Sequence, residues 1–287
     1  MSSYRIFADS ACDLKPETLD SFGVEYLSLT FRFEGDGKEY ENGDMPVSEF
    51  YERMRKGGVA RTAAVNSEAF VGAFKKILDC GDDILYLGFS SGLSTTFNSA
   101  RIAAEELKGS YPERKIIVID TLSASAGIGL IIKFVVDKKN SGASIEEAAA
   151  FAEELKYKLC HWFTVDDLVY LKRGGRISPT VAFVGNMLGI KPVLHMDDDG
   201  HLINMFKVRG RKTSIAALAD KYGELAVQKD GVAYISNADC SADAEELKRM
   251  LTEKYGAKVE IITDVGTVIG AHSGPGTLAL FFVGTTR

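Results

Sequence analysis

Residues 88–92 read Gly-Phe-Ser-Ser-Gly, the G-x-S-x-G spacing of a nucleophile elbow, in which a sharp strand-to-helix turn exposes a serine. Asp264 and His272 follow in the chain order that such hydrolases use, so Ser90, Asp264 and His272 form one candidate triad. The neighbouring residues fit a different chemistry. Hydroxyls continue through Ser91, Ser94, Thr95 and Thr96, where an elbow needs only one, and no HGGG-type oxyanion segment lies upstream. Ser94 is placed to cap the helix that follows. The free N–H groups of a helix N-terminus, with hydroxyls beside them, can receive a carboxylate or a phosphate.

Further along, "GTVIGAHSGPG" (266–276) sets His272 in a glycine-rich loop, where Gly270, Gly274 and Gly276 permit close backbone approach to a ligand. Two basic stretches stand out in an acidic chain. "LKRGGRIS" (171–178) holds Lys172, Arg173 and Arg176, and "FKVRGRKTS" (206–214) holds Lys207, Arg209, Arg211 and Lys212. Each reads as a solvated loop or helix start, or as an anion site or docking patch for an acidic partner. His161 lies beside Trp162 in a strand, while His195 and His201 flank a hairpin turn. Nucleotide signatures are missing: there is no G-x-x-x-x-G-K-[ST], and "SAGIGL" (125–130) lacks the full G-x-G-x-x-G. The acidic turn "MDDDGHL" lacks the spacing of a calcium loop, so no metal and no cofactor is expected.

These residues need a scaffold, and the chain repeats one local pattern. "YRIFA" (4–8), "DILYLGF" (83–89) and "KIIVID" (115–120) are short apolar runs, each opening into small hydroxyl residues and then a helical pattern. Strands alternating with helices predict a parallel sheet, with ligands collecting beyond the carboxyl ends of its strands. Ser144 and Glu147 predict a capping box, and the apolar "IGLIIKFVV" (128–136), short and interrupted by Lys133, predicts a buried helix. From about residue 160 the texture changes. "KPVLHM" and "HLINMFKV" around Asp197–Gly200 predict a hairpin, "GVAYIS" and "KVEIIT" bracket a helix from about Ser241 to Tyr255, and "TLALFFVG" (277–284) predicts a buried strand. The expected class is α/β, with an N-terminal parallel-sheet domain at 1–159 and a C-terminal mixed-sheet domain at 160–287, packed around a cleft.

The 287 residues suffice for two domains at ~100–200 residues each, and 46% hydrophobic with 26% charged residues is ordinary for a soluble protein. A net charge of −6 argues against a nucleic-acid or anionic-membrane surface. Four scattered cysteines without a C-x-x-C, and an N-terminus without a signal-peptide core, predict reduced thiols and a cytoplasmic location with no integral membrane association.

Set in order, several segments resemble the DegV family, whose members act as fatty-acid-binding subunits of bacterial fatty acid kinase. The likeness runs through "DSACDL" (9–14), "RTAAVNSEAF" (61–70), "SSGLSTTFNSA" (90–100), "LKRGGRIS", "MLGIKPVL" (187–194), "NADC" (237–240) and "GAHSGPGTLALFF" (270–282). The resemblance implies a two-domain fold with a long-chain fatty acid between the domains. It also implies no catalytic centre of the chain's own: a separate kinase subunit supplies ATP and forms the acyl phosphate. By the same resemblance Thr62, Ser94, Thr95, His272 and Ser273 surround the carboxylate, and Arg176, or in second place Arg173, supplies positive charge. Arg173, Arg209 and Lys212 match the surface that docks the kinase subunit. The sequence departs from the family pattern after Thr62, where Ala63-Ala64-Val65 replaces a Ser and a Pro-containing turn, after Ser94, where Thr95-Thr96-Phe97 replaces Gly-Thr-Tyr, and at Ser273, where Thr is usual. No acyl-chain preference carries over.

Overall fold

The computed structural model describes residues 3–177 and 189–287. In chain order the first elements are β1 (Tyr4–Asp9), α1 (Pro16–Phe22), β2 (Val24–Leu27), β3 (Thr30–Phe33), β4 (Tyr40–Glu41), α2 (Val47–Arg55) and β5 (Ala60–Ala63). Then come α3 (Ser67–Asp79), β6 (Asp83–Gly88), α4 (Thr96–Lys108), β7 (Ile116–Asp120), α5 (Ala126–Asn140) and α6 (Ile145–Lys156). The remainder comprises β8 (Leu159–Thr164), α7 (Val169–Arg173), β9 (Ile190–Met196), β10 (Leu202–Arg209), α8 (Arg211–Leu225) and β11 (Val232–Asn237). The last elements are α9 (Ser241–Tyr255), β12 (Lys258–Asp264), α10 (Thr267–Ser273) and β13 (Leu278–Val283).

The strands β2-β1-β6-β7 form a wholly parallel sheet in that order. Ile84 to Leu87 of β6 are fully buried, as expected for a strand covered by helices on both faces. All three hydroxyl-rich turns lie beyond the carboxyl ends of these strands, at 9–14, 88–96 and 120–126. Asp9 fixes the first of them. Its carboxylate accepts from the Tyr86 hydroxyl at 2.6 Å and from the backbone N–H groups of Phe89 at 2.9 Å and Ala11 at 3.1 Å.

The second large sheet runs β10-β9-β8-β13-β11-β12, with only the β11–β12 pair parallel. Side chains alternate between its faces. Cys160, Trp162, Ile235, Leu280 and Phe282 pack with α8 and α9, whereas Phe163, Tyr234, Ala279 and Phe281 turn to the opposite face and join the core of the first sheet. Helix α5 fills the space between the two sheets, touching β6 on one side and β8, β11 and β13 on the other. That explains its sequence: a helix enclosed on every side is apolar all round.

The expected capping box is present at Ser144 and Glu147, with bonds of 3.2 and 2.8 Å, and so is the hairpin around Asp197–Gly200. Other features differ from expectation. Strands β4-β3-β5 form a small antiparallel sheet that the sequence reading did not anticipate. The segment around His272 is not a loop but the short helix α10. Gly270 sits inside it because a Cβ there would lie 2.3 Å from the Tyr51 hydroxyl, so its glycine serves packing.

Candidate functional site

Residues of the two mixed or antiparallel sheets, of the connections that follow the parallel sheet's strands, and of α7 and α10 line one cavity of about 260 Å³. Its lining includes Thr62, Ser94, Thr95, Arg176, His272 and Ser273, so the structure gathers at one place every residue expected around a carboxylate. The rest of the wall is mainly apolar, with Leu29, Phe89, Leu93, Phe163, Met196 and Phe281 among its residues.

Thr62 lies on β5 and His272 on α10, and Thr62 Oγ1 is 2.8 Å from His272 Nε2. Burial, with the charges of Arg176 and Arg61, pushes the His272 pKa down to about 4, so the imidazole is neutral. Its Nδ1 is buried with no partner among the described residues. A Cβ on Gly174 would come within 2.1 Å of that atom, so glycine at 174 is what lets the ring sit there. An orphaned buried N–H is rarer than an under-satisfied acceptor, which favours the tautomer with the proton on Nε2. Nε2–H then donates to Thr62 Oγ1, and the threonine's own hydrogen is free to turn to an oxygen in the cavity.

Arg176 follows α7. Its Nε donates to the Leu93 carbonyl at 3.0 Å and its Nη1 to the Gly174 carbonyl at 2.5 Å. Burial lowers its pKa, yet a guanidinium stays charged, and no carboxylate among the described residues pairs with it. Ser94 does not cap α4 as expected. Thr95 holds the cap position without a side-chain bond, while Ser94 Oγ accepts the Thr96 N–H at 3.2 Å and lies 2.9 Å from Thr96 Oγ1. Ser94 and Thr95, immediately before this helix, line the cavity. Ser273 Oγ is buried with no partner among the described residues. The arrangement is a polar end with a neutral imidazole and a buried cation, joined to an apolar chamber: chemistry suited to an amphiphilic anion.

Arg173 stands apart from this cluster. It is exposed at the end of α7, its guanidinium 5.6 Å from the Tyr170 ring centre, so Arg176 is the arginine at the cavity. Arg209 and Lys212 are exposed where β10 passes into α8. Ser178 of "LKRGGRIS" and Met187-Leu188 of "MLGIKPVL" lie outside the described residues.

The hydrolase triad is not assembled. Ser90 is fully buried and its Oγ donates to the Gly200 carbonyl at 2.9 Å, while His272 bonds Thr62 and Asp264 is exposed at the end of β12. The small residues of the G-x-S-x-G turn have another use. A Cβ on Gly92 would meet the Gly200 carbonyl oxygen at 2.7 Å, and one on Gly200 would meet Ser90 Oγ at 2.2 Å. The turn is the seat of the hairpin tip.

Sequence reasoning passed over other lining residues, among them His161, Ser125, Ser236 and Thr277. His161 is neutral, held well below its ordinary pKa by burial, with Nδ1 on the Leu159 carbonyl at 3.1 Å and Nε2 receiving the Ser123 hydroxyl at 2.6 Å. The alternation His161, Trp162, Phe163 in β8 could have assigned His161 to the face shared with Phe163. Which face lines a cavity depends on pairing with β13, distant in sequence.

A family profile described as "Uncharacterised protein, DegV family" matches residues 3–285. A DegV domain-containing protein of Clostridium perfringens is 43% identical over 291 residues, spanning 100% of this chain and 99% of that one. Among solved structures, a DegV lipid binding protein from Thermotoga maritima is 32% identical with a TM-score of 0.87, covering 99% of both chains. A stearic acid-binding protein from Eubacterium ventriosum is 27% identical with a TM-score of 0.87, covering 97% of both. These likenesses over the full length establish that the chain belongs to the DegV family.

Proposed function

We propose that this protein binds one long-chain fatty acid in the cavity and presents its carboxylate to a separate kinase subunit, which phosphorylates it to an acyl phosphate. On this reading residues 1–159 and 160–287 are two domains that enclose the ligand. The carboxylate meets Thr62, Ser94, Thr95 and Ser273, with the charge of Arg176 close by and His272 orienting the Thr62 hydroxyl. The observation that carries the reading is the Thr62–His272 pair beside Arg176 at one end of a mainly apolar chamber. The lipid-binding and stearic acid-binding relatives share the fold and support the ligand class.

Energetics are consistent with it. Burying ~15 methylenes at ~0.8 kcal/mol each gives a gross drive of roughly 12 kcal/mol. Partly desolvating a carboxylate opposes this unless charge-assisted donors receive it, and the polar end supplies them. The exposed Arg173, Arg209 and Lys212 offer a basic docking surface in a chain of net charge −6. Denaturing extraction of the purified protein followed by mass spectrometry tests the ligand: a fatty acid near one per chain is expected, and protein that is folded, empty and indifferent to added fatty acid would refute the proposal. Incubation with a fatty acid kinase subunit and ATP tests presentation, with acyl phosphate as the readout.

A further inference from the structure

Away from the carboxylate end, the cavity wall carries a second set of hydroxyls. Ser236 on β11 is fully buried and lines the cavity, and it pairs with Ala279 of β13. Ser236 Oγ is 3.0 Å from Ser125 Oγ, which is in turn 2.5 Å from Asp13 Oδ2. The other hydroxyls near this part of the wall are committed elsewhere: Thr277 donates to the carbonyls of Ser273 and Gly274, and Ser123 to His161. Ser236 has only Ser125 as a hydrogen-bond partner among the described residues, which leaves it bonding capacity toward the cavity.

The row Asp13–Ser125–Ser236 can run in either direction. With Asp13 ionised, each hydroxyl donates toward the carboxylate and Ser236 shows lone pairs to the cavity. Burial pushes the Asp13 pKa up to about 8, so the protonated form is also accessible, and then the row reverses and Ser236 shows its O–H. A hydroxyl, both donor and acceptor, satisfies either state. The backbone holds the row in place at some strain. Ser125 has φ 54° and ψ −148°, a combination costly for any residue with a side chain, and Asp13 has φ 52°.

We propose that Ser236 and Ser125, backed by Asp13, form a subsite for an oxygen on the ligand's chain, so that the preferred ligands are hydroxylated long-chain acids. The inference rests on the fatty-acid reading above and narrows it. Ser236 pairs with Ala279 inside β13, whereas His272 and Ser273 lie on the preceding helix α10, so this subsite and the carboxylate group belong to different elements of the wall.

The test is displacement of a dansyl-labelled fatty acid from the full-length protein by stearic acid and by stearic acids carrying one hydroxyl at successive positions. One position should bind about tenfold tighter than its neighbours, the worth of one well-made hydrogen bond in a dry site. Ser236→Ala should erase that preference, bringing the affinity ratio of the favoured hydroxylated acid to stearic acid down to about one, and Ser236→Cys, a weak donor of similar size, should do the same should the alanine variant fold poorly. A flat series overturns the proposal, as does a variant that weakens plain and hydroxylated acids alike. Failure of every acid, stearic included, to displace the probe would instead bring down the fatty-acid reading and this subsite with it.

Discussion

Thr62 and His272 share one hydrogen bond, and the direction of its proton decides what a carboxylate meets. With Nε2 donating, the Thr62 hydroxyl is a charge-assisted donor for the ligand. Thr62→Ala should therefore weaken fatty-acid affinity by about ten- to a hundredfold, from the ~1.5–3 kcal/mol of a hydrogen bond to a charged group, as read by displacement titration. An unchanged affinity would place the carboxylate elsewhere. The neutral imidazole makes a second expectation. His272 titrates near 4 in the folded protein against an ordinary 6.5, so between those values the unfolded chain takes up a proton that the folded chain refuses. Its contribution is complete above about pH 6.5 and is lost as the pH falls toward 4. Asp13, raised to about 8, acts in the opposite sense, so the whole-protein curve mixes the two. The difference between wild type and His272→Gln isolates the histidine. From pH 7 to 4 the wild type should lose stability relative to the variant by something on the order of 3 kcal/mol, in urea denaturation of ligand-free protein. Parallel curves would mean that His272 is not held neutral.

Among the elements, the docking of the β9–β10 hairpin on the Ser90 turn is the contact whose purpose the sequence disguised. Gly200 has φ +76° and no room for a Cβ beside Ser90 Oγ. Gly200→Ala should destabilise the protein by about 2–3 kcal/mol through strain and collision, and Ser90→Ala by about 1 kcal/mol through one lost hydrogen bond. Because both act on one contact, the double variant should cost less than the sum. A serine-directed fluorophosphonate should leave Ser90 unlabelled. The strand–turn–helix units, the capping box, α9 and the hairpin were legible because each is announced by local pattern: an apolar run, a cap residue, a turn. What was not legible depended on distant partners. Residues 60–63 carry two polar side chains in four positions and become β5 only by pairing with β3. Glycines at 266, 270, 274 and 276 suggested a loop, yet Gly270 is a helix residue shaped by Tyr51, a neighbour distant in sequence. Thr62, Ser94, Arg176 and His272 were picked out by motif order, whereas Ser236 and His161 needed the sheet register to show which way they face.

At the scale of the whole molecule, the proposed presentation of a buried acid's head to a kinase subunit requires that subunit to approach one particular face, and on this reading charge is the means of choosing it. The chain as a whole is acidic, so a local basic surface is conspicuous to an acidic partner and steers its approach. Not every cation near that surface is available. Arg211 is tied to Asp243 at 2.8 Å and Lys191 to Asp166 at 2.6 Å. Arg173, Arg209 and Lys212 are exposed and enter none of the ion pairs among the described residues. With the exposed Lys172 and Lys207 of the same two stretches, they are among the cations that can receive carboxylates from outside. Reversing Arg209 and Lys212 to Glu should slow acyl phosphate formation by a kinase subunit at least tenfold at low salt. The amount of fatty acid extracted from the variant should not change, because neither residue lines the cavity. Raising the ionic strength should slow the wild type toward the variant, since contacts between exposed charges are screened within about 10 Å at 0.1 M salt. Loss of the bound lipid in the variant would instead tie these residues to the cavity's integrity. An unchanged rate at every salt concentration would move the docking surface elsewhere on the molecule.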